Sequence, residues 1–129
     1  MLDSPAASYL EVQVSSAPPL KIVRLMNDGA LASLRLAVMR LEKGARTEYL
    51  AALKKAQSVI GELHCSLDFE RSPEIATQLD RIYEWSQRTI LDATLKPSAP
   101  AIQGVITVFE KLQDGWNRIR DERGPAPTV

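Results

Sequence analysis

Apolar residues recur at steps of three and four along four successive segments of the chain, and proline or glycine punctuates the breaks between them. The first stripe runs Val23, Met26, Ala30, Leu34, Ala37 and Leu41, within a segment from about Pro19 to Lys43 that ends at Gly44. The second opens near Thr47, a residue type suited to an N-cap, and carries Leu53, Ala56, Ile60, Leu63 and Leu67 before a break at 68–72. In the third, Ser72-Pro73-Glu74 reads as N-cap, first-turn proline and first-turn acid. Its inner face is expected to be Ile75, Leu79, Ile82, Ser86, Thr89 or Ile90, and Ala93, stopping before Pro97. The fourth starts between Ser98 and Pro100, and its stripe of Ile102, Val105, Phe109, Leu112, Trp116 and Ile119 has the alternating spacing of a coiled coil. A period near 3.6 over segments this long is satisfied by helices and not by strands.

Helices of about 20 to 25 residues are about 30 to 37 Å long, and short connections force neighbours to run antiparallel. The expected fold is therefore all-α: an elongated antiparallel four-helix bundle over residues 19–123, with an extended N-terminal segment over 1–18. That segment contains Pro5 and Pro18 and one short alternation at Leu10, Val12 and Val14. The closing residues 124–129, which begin Gly124-Pro125-Ala126-Pro127, cannot continue a helix and are expected to be a disordered tail.

Two dipeptide signals oppose this partition. Asn27-Asp28-Gly29 and Asp114-Gly115 are strong hairpin-turn sequences. The stripes nevertheless continue in phase through both, so both are expected to stay helical. A mid-helix glycine costs about 1 kcal/mol relative to alanine, and close approach of another backbone is the usual compensation. Both glycines are thus expected to mark contacts.

Composition narrows the function. The 129 residues suit one domain, and a 45% hydrophobic, 25% charged composition is that of a folding globular chain. Sixteen Lys and Arg balance sixteen Asp and Glu, without the basic excess of a nucleic-acid-binding domain, so no nucleic-acid partner is expected. No apolar run approaches the roughly 18 residues of a membrane span, so no membrane insertion is expected. The start, Met1-Leu2-Asp3-Ser4-Pro5, lacks the features of a secretory signal, and Cys65 is the only cysteine; a cytoplasmic location is expected.

Catalytic groups are sparse. His64 is the only histidine, and on a helix its side chain diverges by about 100° from that of Cys65, which rules out a nucleophile and base pair. The Glu-x-x-His repeat of di-iron bundles is missing, since Glu62 lies two residues from His64, and the glycines form no nucleotide-binding motif. No enzymatic activity, metal or cofactor is expected.

The anomaly is a second apolar stripe on the first helix. Opposite the core stripe, Ile22, Leu25, Gly29, Ala32, Leu36 and Met39 again follow steps of 3, 4, 3, 4, 3. A bundle helix needs one apolar face, and a helix apolar on two opposed sides requires cover on both. The candidates for that cover are the N-terminal segment with Tyr9, Val12 and Val14, a second copy of the chain in a homodimer, or a foreign helix. Ile22, Leu25, Gly29, Leu36 and Met39 are the candidate groove, and Tyr9, Val12 and Val14 a movable cover. Tyr83, Trp85 and Trp116 read as core or bundle-end aromatics.

From Tyr9 to Trp116 the chain also resembles the FliS family of flagellin export chaperones. The resemblance is carried by Tyr9 and Val12, Pro19-Leu20-Lys21-Ile22-Val23, Leu25-Met26-Asn27-Asp28-Gly29-Ala30-Leu31, Lys55-Ala56, Ile60-Gly61-Glu62-Leu63 and Ser66-Leu67-Asp68. It continues through Glu74-Ile75-Ala76, Leu79, Ile82-Tyr83-Glu84-Trp85 and Leu91-Asp92-Ala93. Asn27 stands where the family usually has tyrosine, Leu20 where it often has histidine, and Ser72-Pro73 where a glycine pair is common. The resemblance implies an antiparallel helical bundle and a cytoplasmic chaperone. Its implied partners are the disordered C-terminal segment of flagellin, kept from premature polymerisation, and the flagellar export gate to which that cargo is delivered.

Overall fold

The computed structural model of the chain describes residues 19–123, which form four α-helices in succession: α1 (Leu20–Glu42), α2 (Arg46–Cys65), α3 (Pro73–Leu95) and α4 (Ala99–Arg123). The expected N-terminal segment over 1–18, with Tyr9, Val12 and Val14, and the expected tail over 124–129 lie outside the described residues. α1 packs on α2 and α4, and α3 packs on the same two, so α1 and α3 lie on one diagonal of a four-helix bundle. Contacts along α2 and α3 define their antiparallel course: Tyr49 near the start of α2 meets Ala93 near the end of α3, and His64 near the end of α2 meets Asp80.

The helix boundaries follow from local chemistry. Gly44, at φ 73°, supplies the left-handed residue that ends α1 and reverses the chain. Because this turn is so short, α2 opens at Arg46 with Ala45 in the N-cap position. Thr47, the expected cap, therefore lies inside the first turn. Pro73 is in the first turn of α3, as its fixed φ favours, although Ser72 in the cap position makes no side-chain capping bond. α3 ends at Leu95 because Lys96 precedes Pro97 and takes the extended conformation (φ −135°, ψ 100°) that proline favours in its predecessor.

Both hairpin-like dipeptides are helical, within α1 and α4. Among the described residues neither glycine marks a close contact within the bundle: a Cβ added at Gly29 or Gly115 would meet nothing within 4 Å. The polar neighbours of Gly29 instead tie α1 to α4. Asn27 is buried and its Nδ2–H donates to the Phe109 carbonyl at 3.2 Å, while Gln113 Nε2–H donates to Asp28 Oδ1 at 2.8 Å.

The core contains the expected Val23, Ala30, Leu34, Ala37, Leu53, Ala56, Ile60, Leu63, Leu79, Ile90, Ala93, Ile102, Val105, Phe109 and Trp116. Met26, Leu41, Leu67, Ile82, Leu112 and Ile119 are partly buried against it. α3 requires a correction. Ile75 is 51% exposed and Ala76 is buried in its place, so the inner face reads Ala76, Leu79, Tyr83, Ser86, Ile90, Ala93. Two tyrosines complete the centre. Tyr83 packs with its ring centroid 6.2 Å from that of Phe109, and burial pushes its phenol pKa up. Tyr49 is fully buried and its hydroxyl donates to the Ala93 carbonyl at 2.7 Å.

Candidate functional site

α1 is rotated in the bundle by its most apolar side. Val23, Asn27, Ala30, Leu31, Leu34 and Ala37 turn inward, and the flanks of the helix pack on α2 and α4. The second stripe, about 180° away at 3.6 residues per turn, is left facing outward. Leu25 is 54% exposed, Met39 40% and Leu36 38%. Gly29 and Ala32 are exposed and Ile22 is half-buried. Over these 18 positions the stripe is about 26 Å long. The structure thus brings Ile22, Leu25, Gly29, Leu36 and Met39 onto one continuous face, while Tyr9, Val12 and Val14 lie outside the described residues.

The face is held by fixed contacts to α4. Besides the bonds of Asn27 and Asp28, Arg35 pairs with Glu110 at 2.7 Å across the α1–α4 flank. Leu25 and Leu36 stand as two ridges with Gly29 and Ala32 between them, a saddle that no side chain fills at Gly29. The arrangement presents apolar area at the heptad-like spacing of a helix–helix seam.

His64 serves packing. Its Nε2 lies 2.5 Å from Asp80 Oδ1, bridging α2 to α3, and its ring lies 6.0 Å from that of Tyr83. Cys65 is exposed beside it. Among the described residues no three or more His, Cys, Asp or Glu side chains are grouped to hold a metal ion. No helix there is long and apolar enough to cross a membrane.

Sequence reasoning missed other exposed apolar groups. Trp85, read as a core or bundle-end aromatic, is instead exposed midway along α3; Leu91 and Leu95 are also exposed on α3, and Phe69 and Ile75 at the α2–α3 corner. The signal was available in α3, where positions 76, 79, 83, 86, 90 and 93 keep a strict 3–4 alternation; small Ala76 and polar Ser86 disguise it.

Fold and face together define an all-α four-helix bundle with an exposed apolar stripe along one helix. A family model described as "Flagellar protein FliS" matches residues 2–123. The chain is 34% identical over 111 residues to the flagellar secretion chaperone FliS of Salmonella typhimurium, covering 85% of this chain and 82% of the relative. It is 31% identical over 110 residues to the flagellar secretion chaperone FliSB of Pseudomonas aeruginosa, covering 85% and 87%. With the flagellar secretion chaperone FliS of Bacillus subtilis the identity is 26% over 123 residues, covering 95% and 91%. The chain belongs to the FliS family.

Proposed function

We propose that the protein is a flagellar export chaperone that binds the C-terminal segment of flagellin along the outer face of α1 and delivers it to the flagellar export apparatus. Bound cargo is kept from premature polymerisation. The observation that carries this reading is the exposed stripe from Ile22 to Met39, which has the spacing of a helix–helix seam but no partner among the described residues. The names of the relatives, flagellar secretion chaperones, support a role in flagellar export.

Flagellin's terminal segment is helix-forming and amphipathic, so masking its apolar face prevents self-association. Helix-in-groove binding does this through i, i+3, i+4, i+7 anchors. Coupled folding and binding costs about 2 to 5 kcal/mol in ordering, which keeps the complex releasable for export. Tyr9, Val12 and Val14 act in this scheme as a cover that yields to cargo.

Isothermal titration with the C-terminal segment of flagellin from the same genome, at two temperatures, tests the proposal. A stoichiometric complex with a negative heat-capacity change supports it. Absence of a complex at high concentration rejects flagellin as the cargo, and concentration-dependent mass without cargo would point to a homodimer.

A further inference from the structure

The outer face of α1 is apolar along its middle and cationic at both ends. At about 100° per residue, Lys21, Arg40 and Lys43 fall within about 50° of the centre of the exposed stripe, whereas Asp28 and Glu42 fall about 70° and 110° away. Lys21 and Lys43 are exposed and Arg40 is half-buried. The ion pairs among the described residues are Arg35–Glu110, His64–Asp80 and Arg88–Glu84, so none of the three cations is paired there. Asp28, the acid nearest the stripe, is turned to Gln113 on α4.

Helix electrostatics accounts for part of this pattern only. Arg40 in the last turn and Lys43 just beyond it complement the carbonyl end of α1. Lys21 does the reverse: it sits in the first turn, where the dipole favours an acid, and α1 has no acidic residue there. An anionic group arriving at that end would offset both the lysine charge and the unsatisfied N–H groups.

We propose that the occupant of this face is an acidic amphipathic helix, apolar at heptad spacing and carrying Asp or Glu beside its seam. The proposal rests on the chaperone reading for the cargo's identity but not for its chemistry. A second copy is disfavoured by charge. Antiparallel docking of α1 on α1 sets Lys21 against Arg40 and Lys43 of the other copy, and parallel docking sets each cation near its own kind. An acidic helix neutralises all three.

Two designed peptides of about three heptads test this, each with Leu at a and d, one with Glu and one with Lys at the flanking positions. Fluorescence anisotropy with the full chain should show the Glu peptide binding at least about tenfold tighter at low salt, the gap narrowing as salt rises. The triple variant Lys21→Glu, Arg40→Glu, Lys43→Glu should reverse the preference with an unchanged helical circular-dichroism spectrum. Equal binding of the two peptides, binding of neither, or a dimer in sedimentation that buries this face would overturn the proposal. The flagellin segment separates the two readings. If it fails to bind while the Glu peptide binds, the cargo's identity is wrong and the surface chemistry stands; if it binds while the Glu peptide does not, the reverse holds.

Discussion

The Tyr49 hydroxyl spans from α2 to the Ala93 carbonyl at 2.7 Å and at the same time accepts the Ser98 N–H at 3.4 Å, so one phenol closes the corner where α3 turns into α4. The side chain is fully buried. Tyr49→Phe should therefore destabilise the fold by about 1 to 2 kcal/mol, the cost of removing the donor to the Ala93 carbonyl, whose helical i+4 position is Pro97 and has no N–H. Urea unfolding measures this. Because the Tyr49 hydroxyl is buried against Ala93 while the stripe faces outward on α1, cargo affinity of the folded variant should stay within about twofold of wild type.

Leu25→Asp and Leu36→Asp should leave the helical circular-dichroism spectrum and unfolding midpoint nearly unchanged, since both side chains already face outward. Each should weaken binding of the flagellin segment by more than about tenfold, because a carboxylate would be desolvated in the seam. Leu34→Asp is the contrasting control. That side chain is fully buried, and the variant should not fold. Unfolding of the Leu25 or Leu36 variants would show that the stripe is core.

Gly29→Ala should raise stability by about 1 kcal/mol, because nothing among the described residues lies within 4 Å of the added methyl and alanine is the better helix former. A larger side chain should act differently. Ala32→Trp, at the same exposed saddle, should fold normally but weaken cargo binding in titration calorimetry by filling the dip between Leu25 and Leu36.

The register of α3 can be checked by a pair of substitutions. Leu79→Ala should cost about 2 to 4 kcal/mol as a core truncation, whereas Ile75→Ser should stay within about 0.5 kcal/mol of wild type. Equal costs in thermal or urea unfolding would place Ile75 back in the core.

These cases show where the sequence was legible. In α1, α2 and α4 the large apolar residues of the expected stripes, such as Leu34, Leu53, Ile60, Ile102 and Phe109, lie on the buried face and the alanines between them keep the same phase, so period and phase could be read together, and the Asn-Asp-Gly and Asp-Gly pairs could be overruled as turns. α3 differs because its inward face includes Ala76, Tyr83 and Ser86. Hydrophobicity alone then favours Ile75 and Ile82, which are rotated from the buried face by about one residue. Side-chain hydrogen bonds that link distant residues, such as Tyr49 to Ala93 or Asn27 to Phe109, leave no periodic trace. The outward face of α1 was legible for the opposite reason: a second 3–4 series on one helix has no role inside a square bundle. The three cations at its ends escaped notice, because their meaning depends on which of their neighbours are already paired.

The diagonal placement of α1 and α3 has a thermodynamic consequence. α1 shares its most extensive packing with α2 and the next with α4, and its backbone lies across the bundle from that of α3. A ligand seated on its open side binds only the folded bundle, and so adds RT ln(1 + [L]/Kd) to the free energy of unfolding, about 2.7 kcal/mol at a hundredfold excess over Kd. Lifetime against proteolysis would then track occupancy: copies of the chain would persist while cargo is plentiful and be cleared faster once it is gone.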